Sequence, residues 1–174
     1  LRRKNKMANI VPYSFAQELF KGNHNFTTTS GASAGYKISL YTNNGGNVGA
    51  YTTASTIALT GPSGGGAPNY EVATTGGTQY SALSLVTGTV ANQTNVATVD
   101  FSTNPVWGSG TPATFTARGA AIYKNTGTPA DDLLVVVLDF TADFSCSNGT
   151  FTVTFPDPTT GTPAGSDALL SITS

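Results

Sequence analysis

The chain has 174 residues, enough for one domain with a real core, and only 10% of them are charged, for a formal net charge of -1. That balance argues against a nucleic-acid partner. The longest apolar run, 133–138, is six residues and far too short to span a bilayer. The single cysteine, Cys146, leaves no intrachain disulfide and no cysteine-based zinc site.

Glycine reaches 20 residues, and Ser and Thr together make 44, a quarter of the chain. Much of the apolar content is Val, Ile, Phe and Tyr, which favour strands, and Gly and Pro supply frequent turns. The composition therefore points to β structure before any periodicity is read.

Residues 1–12 read as an arm, extended and basic. Arg2, Arg3, Lys4 and Lys6 are four of the eight basic residues, which leaves four basic against nine acidic residues, about -5, on the rest of the chain. Arm and body have opposite sign, so the arm is either a solvated tail or a segment that lies on an acidic neighbour. No apolar run of signal-peptide type comes after it. Leu1 is unusual as a first residue, and Met7-Ala8-Asn9 resembles a natural start.

A single helix is expected next. Ser14 and Gln17 have the spacing of a capping box. Phe15 and Leu19 share a face, with Phe20 beside them, and Gly22 is a stop signal. Two turns are not stable alone in water, so the Phe15/Leu19 face must dock on a sheet or on another subunit.

Beyond Gly22 the pattern is β. Tyr36, Ile38 and Leu40 alternate with polar residues, and Asn43-Asn44-Gly45-Gly46 is a turn. Residues 52–59 suggest a strand and 63–68 a glycine-rich loop. Residues 80–87 read as a strand with Leu83 and Leu85 on one face. Residues 96–101 come next, with Ala97, Val99 and Phe101 facing inward. Residues 115–124 place Phe115, Ala117, Gly119, Ala121 and Tyr123 on one face. Residues 133–140 are apolar on both faces, which predicts a non-edge strand covered on both sides. Phe151, Val153 and Phe155 alternate with threonines, and 168–173 closes the chain. Eight or nine strands separated by turns predict an all-β fold, an antiparallel β-sandwich of jelly-roll or Ig-like kind over residues 13–174.

Chemistry is sparse. His24 is the only imidazole, no serine lies in a nucleophile elbow, and no phosphate-binding glycine loop is present. Glu18, Glu71, Asp100, Asp131, Asp132, Asp139 and Asp143 are read as surface and turn residues rather than as a carboxylate pair or a calcium loop. No catalytic residue, metal ligand or cofactor is assigned. Trp107 either closes one end of the core or, as a loop aromatic, stacks on a sugar. Three acceptor-type triplets, at Asn25, Asn92 and Asn148, are what a threonine-rich chain produces by chance. Arg118 is either exposed or half-buried against Asp100 or Asp139. The first reading puts Arg118→Ala under about 1 kcal/mol, and a buried pair puts it at roughly 3–5 kcal/mol.

The segment Thr114-Phe115-Thr116-Ala117-Arg118-Gly119-Ala120-Ala121-Ile122-Tyr123 is similar to a T-A-R-x-A-x-I-Y stretch of a family of small tailed-bacteriophage virion proteins. The downstream segments also resemble that family in their order: 135–140 ending in Asp139-Phe140, then Gly149-Thr150-Phe151-Thr152-Val153-Thr154-Phe155, then Leu169-Leu170-Ser171-Ile172. Upstream, the helix ending at Lys21-Gly22, Phe26, the strand 36–42, Val99-Asp100-Phe101 and Val106-Trp107 fall in the same order. The chain departs from the pattern in its arm before Met7 and in a longer, glycine-rich stretch at 61–67.

The resemblance implies a structural particle protein, and no motif in it is catalytic; the first reading built on it is a capsid decoration (cement) protein on the capsid surface, which fits a β body with few charges, a basic arm and a helix that must dock. Its expected partners are the major capsid protein and itself, as a homotrimer, with no nucleic acid and no membrane. The contact residues expected are Arg2, Arg3, Lys4 and Lys6, then Phe15, Leu19 and Phe20. The alternative is a tail- or fibre-associated module that binds a host glycan through Trp107, Tyr51 and Tyr70.

Overall fold

The computed structural model describes residues 8–26, 35–42, 71–74, 77–93, 96–101, 103–128, 132–156 and 169–173. These residues form a mostly β structure of antiparallel sheets with one short helix, α1 (Tyr13–Phe20). The turn expected at 43–46, the strand at 52–59, the loop at 63–68, Tyr51, Tyr70 and Asp131 lie outside the described residues.

The largest sheet has the order β1-β8-β7-β2-β3. Its members are β1 (Ala8–Ile10), β2 (Tyr36–Tyr41), β3 (Leu83–Leu85), β7 (Ala113–Lys124) and β8 (Leu133–Gly149). A second sheet pairs β4 (Thr87–Gln93) with β5 (Val96–Phe101) and β5 with β10 (Leu170–Thr173). A small ribbon pairs β6 (Val106–Trp107) with β9 (Phe151–Thr152). Residues 8–10, within the stretch read as an arm, thus belong to the sheet, with Ala8 opposite Asp139 and Ile10 opposite Val137.

One apolar cluster takes residues from the whole described fold. It includes Phe15 of the helix, Ile38, Leu40, Ile122, Val136 and Leu138 of the large sheet, Phe101 and Leu170 of the second sheet, and Trp107 and Phe155 near the ribbon. Tyr36 and Phe101 meet with ring centroids 5.9 Å apart, which ties the two larger sheets together.

The register explains why simple alternation fails in places. Ala113, Phe115 and Ala117 face the cluster, but further along β7 the inward residues are Ala120 and Ile122. Between these halves, β8 carries extra residues: Ala117 pairs with Phe144, whereas Gly119 pairs with Asp139. This bulge shifts the side-chain phase, so Ala121 and Tyr123, expected on the face of Phe115, lie on the other one. They remain buried there. Ser39, Ala121 and Val137 stand side by side across three strands, and all are buried. Around these residues the sheet is covered on both faces, as the apolar run 133–138 predicts.

In β5 Phe101 joins the cluster and Val99 packs against it, as expected, whereas Ala97 of the same face is exposed and Val96 and Thr98 are buried without joining the cluster. The strand expected over 80–87 is interrupted at Val86 and divided between two sheets.

Tyr80 substitutes for a strand beside β2. Its hydroxyl accepts from the Leu40 backbone N–H at 2.9 Å and donates to Glu71 Oε1 at 2.7 Å. Burial raises the Glu71 carboxyl above its usual range, and the Tyr80 hydrogen bond opposes that shift.

Candidate partner-binding surface

The N-terminal unit is built around α1. Pro12, not Ser14, is the N-cap, and no side chain caps that end. Ser14 therefore lies inside the first turn, where its buried hydroxyl makes no hydrogen bond, and the expected capping box does not form. The other end is well closed. Gly22 has φ +77, its N–H donates to Leu19 O at 3.0 Å, and Asn23 N–H donates to Glu18 O at 2.9 Å. This is the paired bonding of a Schellman stop. The buried Glu18 accepts from Lys21 at 2.7 Å and from Asn23 Nδ2, and these contacts hold its carboxyl below the usual range.

The inner face of the helix docks on its own chain. Phe15 is buried, 4.8 Å from the His24 ring and 6.2 Å from Phe26 by ring centroids, and Leu19 packs beside the cluster. Phe26 stacks on Tyr36 at 4.6 Å. Phe15 is thus taken up by the core and Leu19 is half-covered. The contact role expected of Phe15 is corrected, because the sheet satisfies its apolar face. His24 is buried in the same group, with Nδ1 3.5 Å from the Tyr36 hydroxyl. Burial first, and then the charge of Lys124, hold its pKa down to about 4, with Glu18 opposing.

The outer face is different. Phe20 is 89% exposed, Tyr13 72% and Val11 47%. Seven residues separate Tyr13 from Phe20, nearly two full turns, so they share one face. Phe20 was among the expected contacts; Tyr13 and Val11 were not, although the seven-residue spacing was visible in the sequence. Arg2, Arg3, Lys4 and Lys6 lie outside the described residues; their chain enters the fold at Ala8, four residues before the helix cap at Pro12.

Two of the described residues weighed for other chemistry, Trp107 and Asp132, are occupied by structure. Trp107 is buried, donates from Nε1 to Ser81 O at 2.8 Å and stacks near Tyr80, so it is not presented to a sugar. Asp132 is buried and accepts from the Thr126 N–H at 2.8 Å, closing the β7–β8 connection. Among the described residues no group of His, Cys, Asp and Glu is placed to hold a metal ion, and no helix is long and apolar enough to cross a membrane.

Arg118 meets Asp139 at 3.5 Å and Asp143 at 3.6 Å, with its side chain 27% exposed. Asp139 also accepts the Thr141 N–H at 2.7 Å, across the β8 bulge. The pair forms with Asp139, one of the two acids expected. These are long, partly solvated contacts, so Arg118→Ala is expected to cost about 1 kcal/mol, between an exposed and a buried pair. A urea melt that shifts by more than about 3 kcal/mol would show instead that the guanidinium is functionally buried.

No protein-family model, no curated protein and no solved structure matches this chain.

Proposed function

We propose that the chain is a non-enzymatic structural module that binds a larger protein assembly through the outer face of α1. The assembly we propose is a virion, with this chain as a capsid decoration protein on the head surface and the major capsid protein as its partner. In this reading the two larger sheets pack as a β-sandwich, a rigid body that presents the helix.

The observation that carries the reading is the pair Tyr13 and Phe20. Two large aromatic side chains stand in solvent on a helix whose other face is already anchored. Aromatic anchors of this kind dominate protein–protein contacts. The basic residues Arg2, Arg3, Lys4 and Lys6 precede that face in sequence and supply charge for an acidic partner surface. Many such weak contacts around a symmetric shell add up by multivalency, and binding only the assembled shell stabilises it by mass action. The resemblance to small phage virion proteins supports the choice of partner. The glycan-binding alternative draws no support from Trp107.

The test is immunogold electron microscopy of the parent particle, paired with co-sedimentation of purified chain and Phe20→Ser. Phe20 is almost wholly exposed, so the variant should keep its urea midpoint within about 0.5 kcal/mol. Label over the head and lost co-sedimentation of Phe20→Ser are expected. Label confined to the tail moves the assignment there, and no label on intact particles overturns it.

A further inference from the structure

Residues 13–24, which are α1 and its closing turn, can leave the fold without breaking a sheet. Before them β1 is paired with β8 at Ala8–Ile10, and after them Phe26 stacks on Tyr36. Between these two anchors the chain contributes no strand. It is held by Phe15 and Leu19 on the core cluster, by the packing of α1 on β8, and by Lys124 Nζ, which donates to Asn23 O. Two turns of helix do not persist without such docking. A unit of this kind opens at a lower free energy than the sheet on which it rests.

The docked unit also leaves polar atoms unsatisfied. Ser14 Oγ and His24 Nε2 are buried and have no hydrogen-bond partner among the described residues. Both regain water when the unit lifts, so both favour release.

His24 makes this balance respond to protons. It is the chain's single histidine. Its ring is enclosed by Phe15 of α1, by Phe26 and by Tyr36 of β2, at centroid distances of 4.8, 6.1 and 6.2 Å. Nδ1 lies 3.5 Å from the Tyr36 hydroxyl. An imidazolium carries N–H on both nitrogens, so in this enclosure one donor would face a neutral phenol and the other would find no acceptor. Burial pushes the Tyr36 phenol above its usual range, which keeps it neutral. The charged neighbours do not compensate. Glu18 of α1 attracts an imidazolium, but its carboxylate already accepts from Lys21 and Asn23, and Lys124 of β7 repels one. In the released unit the solvated imidazole takes its proton near 6.5, and in the docked unit only near 4. Release therefore takes up a proton and is favoured as the pH falls.

We infer that residues 13–24 are an acid-opened flap: protonation of His24 lifts α1 off β8 while the sheets stay folded, and uncovers the apolar surface beneath Phe15 and Leu19. The unfolded chain solvates His24 equally well, but the flap opens first because it gives up no strand pairing. Opening does not depend on what the outer face of α1 binds.

The test is hydrogen exchange of the full chain at pH 7 and pH 4.5, corrected for the intrinsic pH dependence of exchange. Amides within 13–24 should exchange about fiftyfold faster at the lower pH. Those of β1, β2, β7 and β8 should keep their protection, and the fluorescence of the buried Trp107 should not change. His24→Phe should abolish the acceleration. NMR of the lone imidazole in the unaltered chain gives a reading that needs no variant, and it should still be neutral at pH 6. Equal loss of protection in all strands, no acceleration within 13–24, an acceleration that His24→Phe retains, or an imidazole charged at pH 6 with 13–24 still protected overturns the inference.

Discussion

Gly108→Ala is expected to remove at least about 4 kcal/mol of stability, more than the same change at Gly22, Gly77, Gly110, Gly127 or Gly149. The reason is backbone crowding on top of backbone conformation. Gly108 has φ +81, and a Cβ there would stand 2.2 Å from Gly149 O and 2.9 Å from Ala113 N. The left-handed conformation alone costs an alanine about 1–2 kcal/mol. The contacts add much more, because both neighbours are main chain and cannot rotate away. Relief requires the end of β8 to separate from the start of β7, beside Trp107 and Ala113, which are buried at 2% and 0% exposure. Gly127 provides the control: its φ is +90, but nothing lies within 4 Å of an added Cβ. Gly127→Ala should therefore show only the conformational cost of about 1 kcal/mol. Urea melts of the two variants decide the matter. Equal midpoints would mean that the close approach of Gly108 to Gly149 is not a feature of the folded protein.

The second large effect is a loss of stability on mild acidification. His24 sits among Phe15, Phe26 and Tyr36, with Glu18 of α1 and Lys124 of β7 as the charged groups acting on it. In the unfolded chain the imidazole takes up a proton near its ordinary 6.5, and in the folded chain only near 4. Between these values the unfolded state binds more protons, so stability falls as the pH falls. The contribution is complete above pH 6.5, declines through the window and is gone below about 4. At about 1.4 kcal/mol per pH unit it amounts to about 3 kcal/mol. Glu18, whose carboxyl is held low by Lys21 and Asn23, adds a loss of the same sign at still lower pH. The histidine part is isolated by difference. His24→Phe keeps an aromatic ring in the cluster and should flatten the dependence between neutrality and pH 4. An unchanged slope in that variant would assign the acid sensitivity to carboxylates alone.

The β character of the chain was legible, and so were several individual strands. Alternation located β2, the start of β7 and the Phe151–Phe155 segment, because each keeps one phase along its length. The apolar run of β8 announced two-sided burial for the same reason that it carried no alternation. Its continuation to Gly149 was not legible. Residues 141–148 are mostly polar because that part of the strand is exposed, and an exposed strand leaves the same composition as a loop. The phase change in β7 was hidden because its cause, the bulge, lies on the partner strand. For the candidate surface, the spacing of Phe15 and Leu19 identified the buried face of the helix correctly. Adjacency to Leu19 was a poor guide to Phe20, which lies well round the helix from Phe15; its seven-residue match to Tyr13 was the better signal.

The pairing of β1 with β8 has a consequence for biosynthesis. The first strand and the helix are made well before the strand on which both rest, residues 133–149. At about 5–20 residues per second, more than a hundred residues of translation separate the two, on the order of 10 s. Throughout that interval Phe15 and Leu19 lack the β8 part of their native surroundings, and only the neighbouring rings of His24 and Phe26 are at hand to cover Phe15, so the nascent chain carries a half-covered apolar helix until β8 is made.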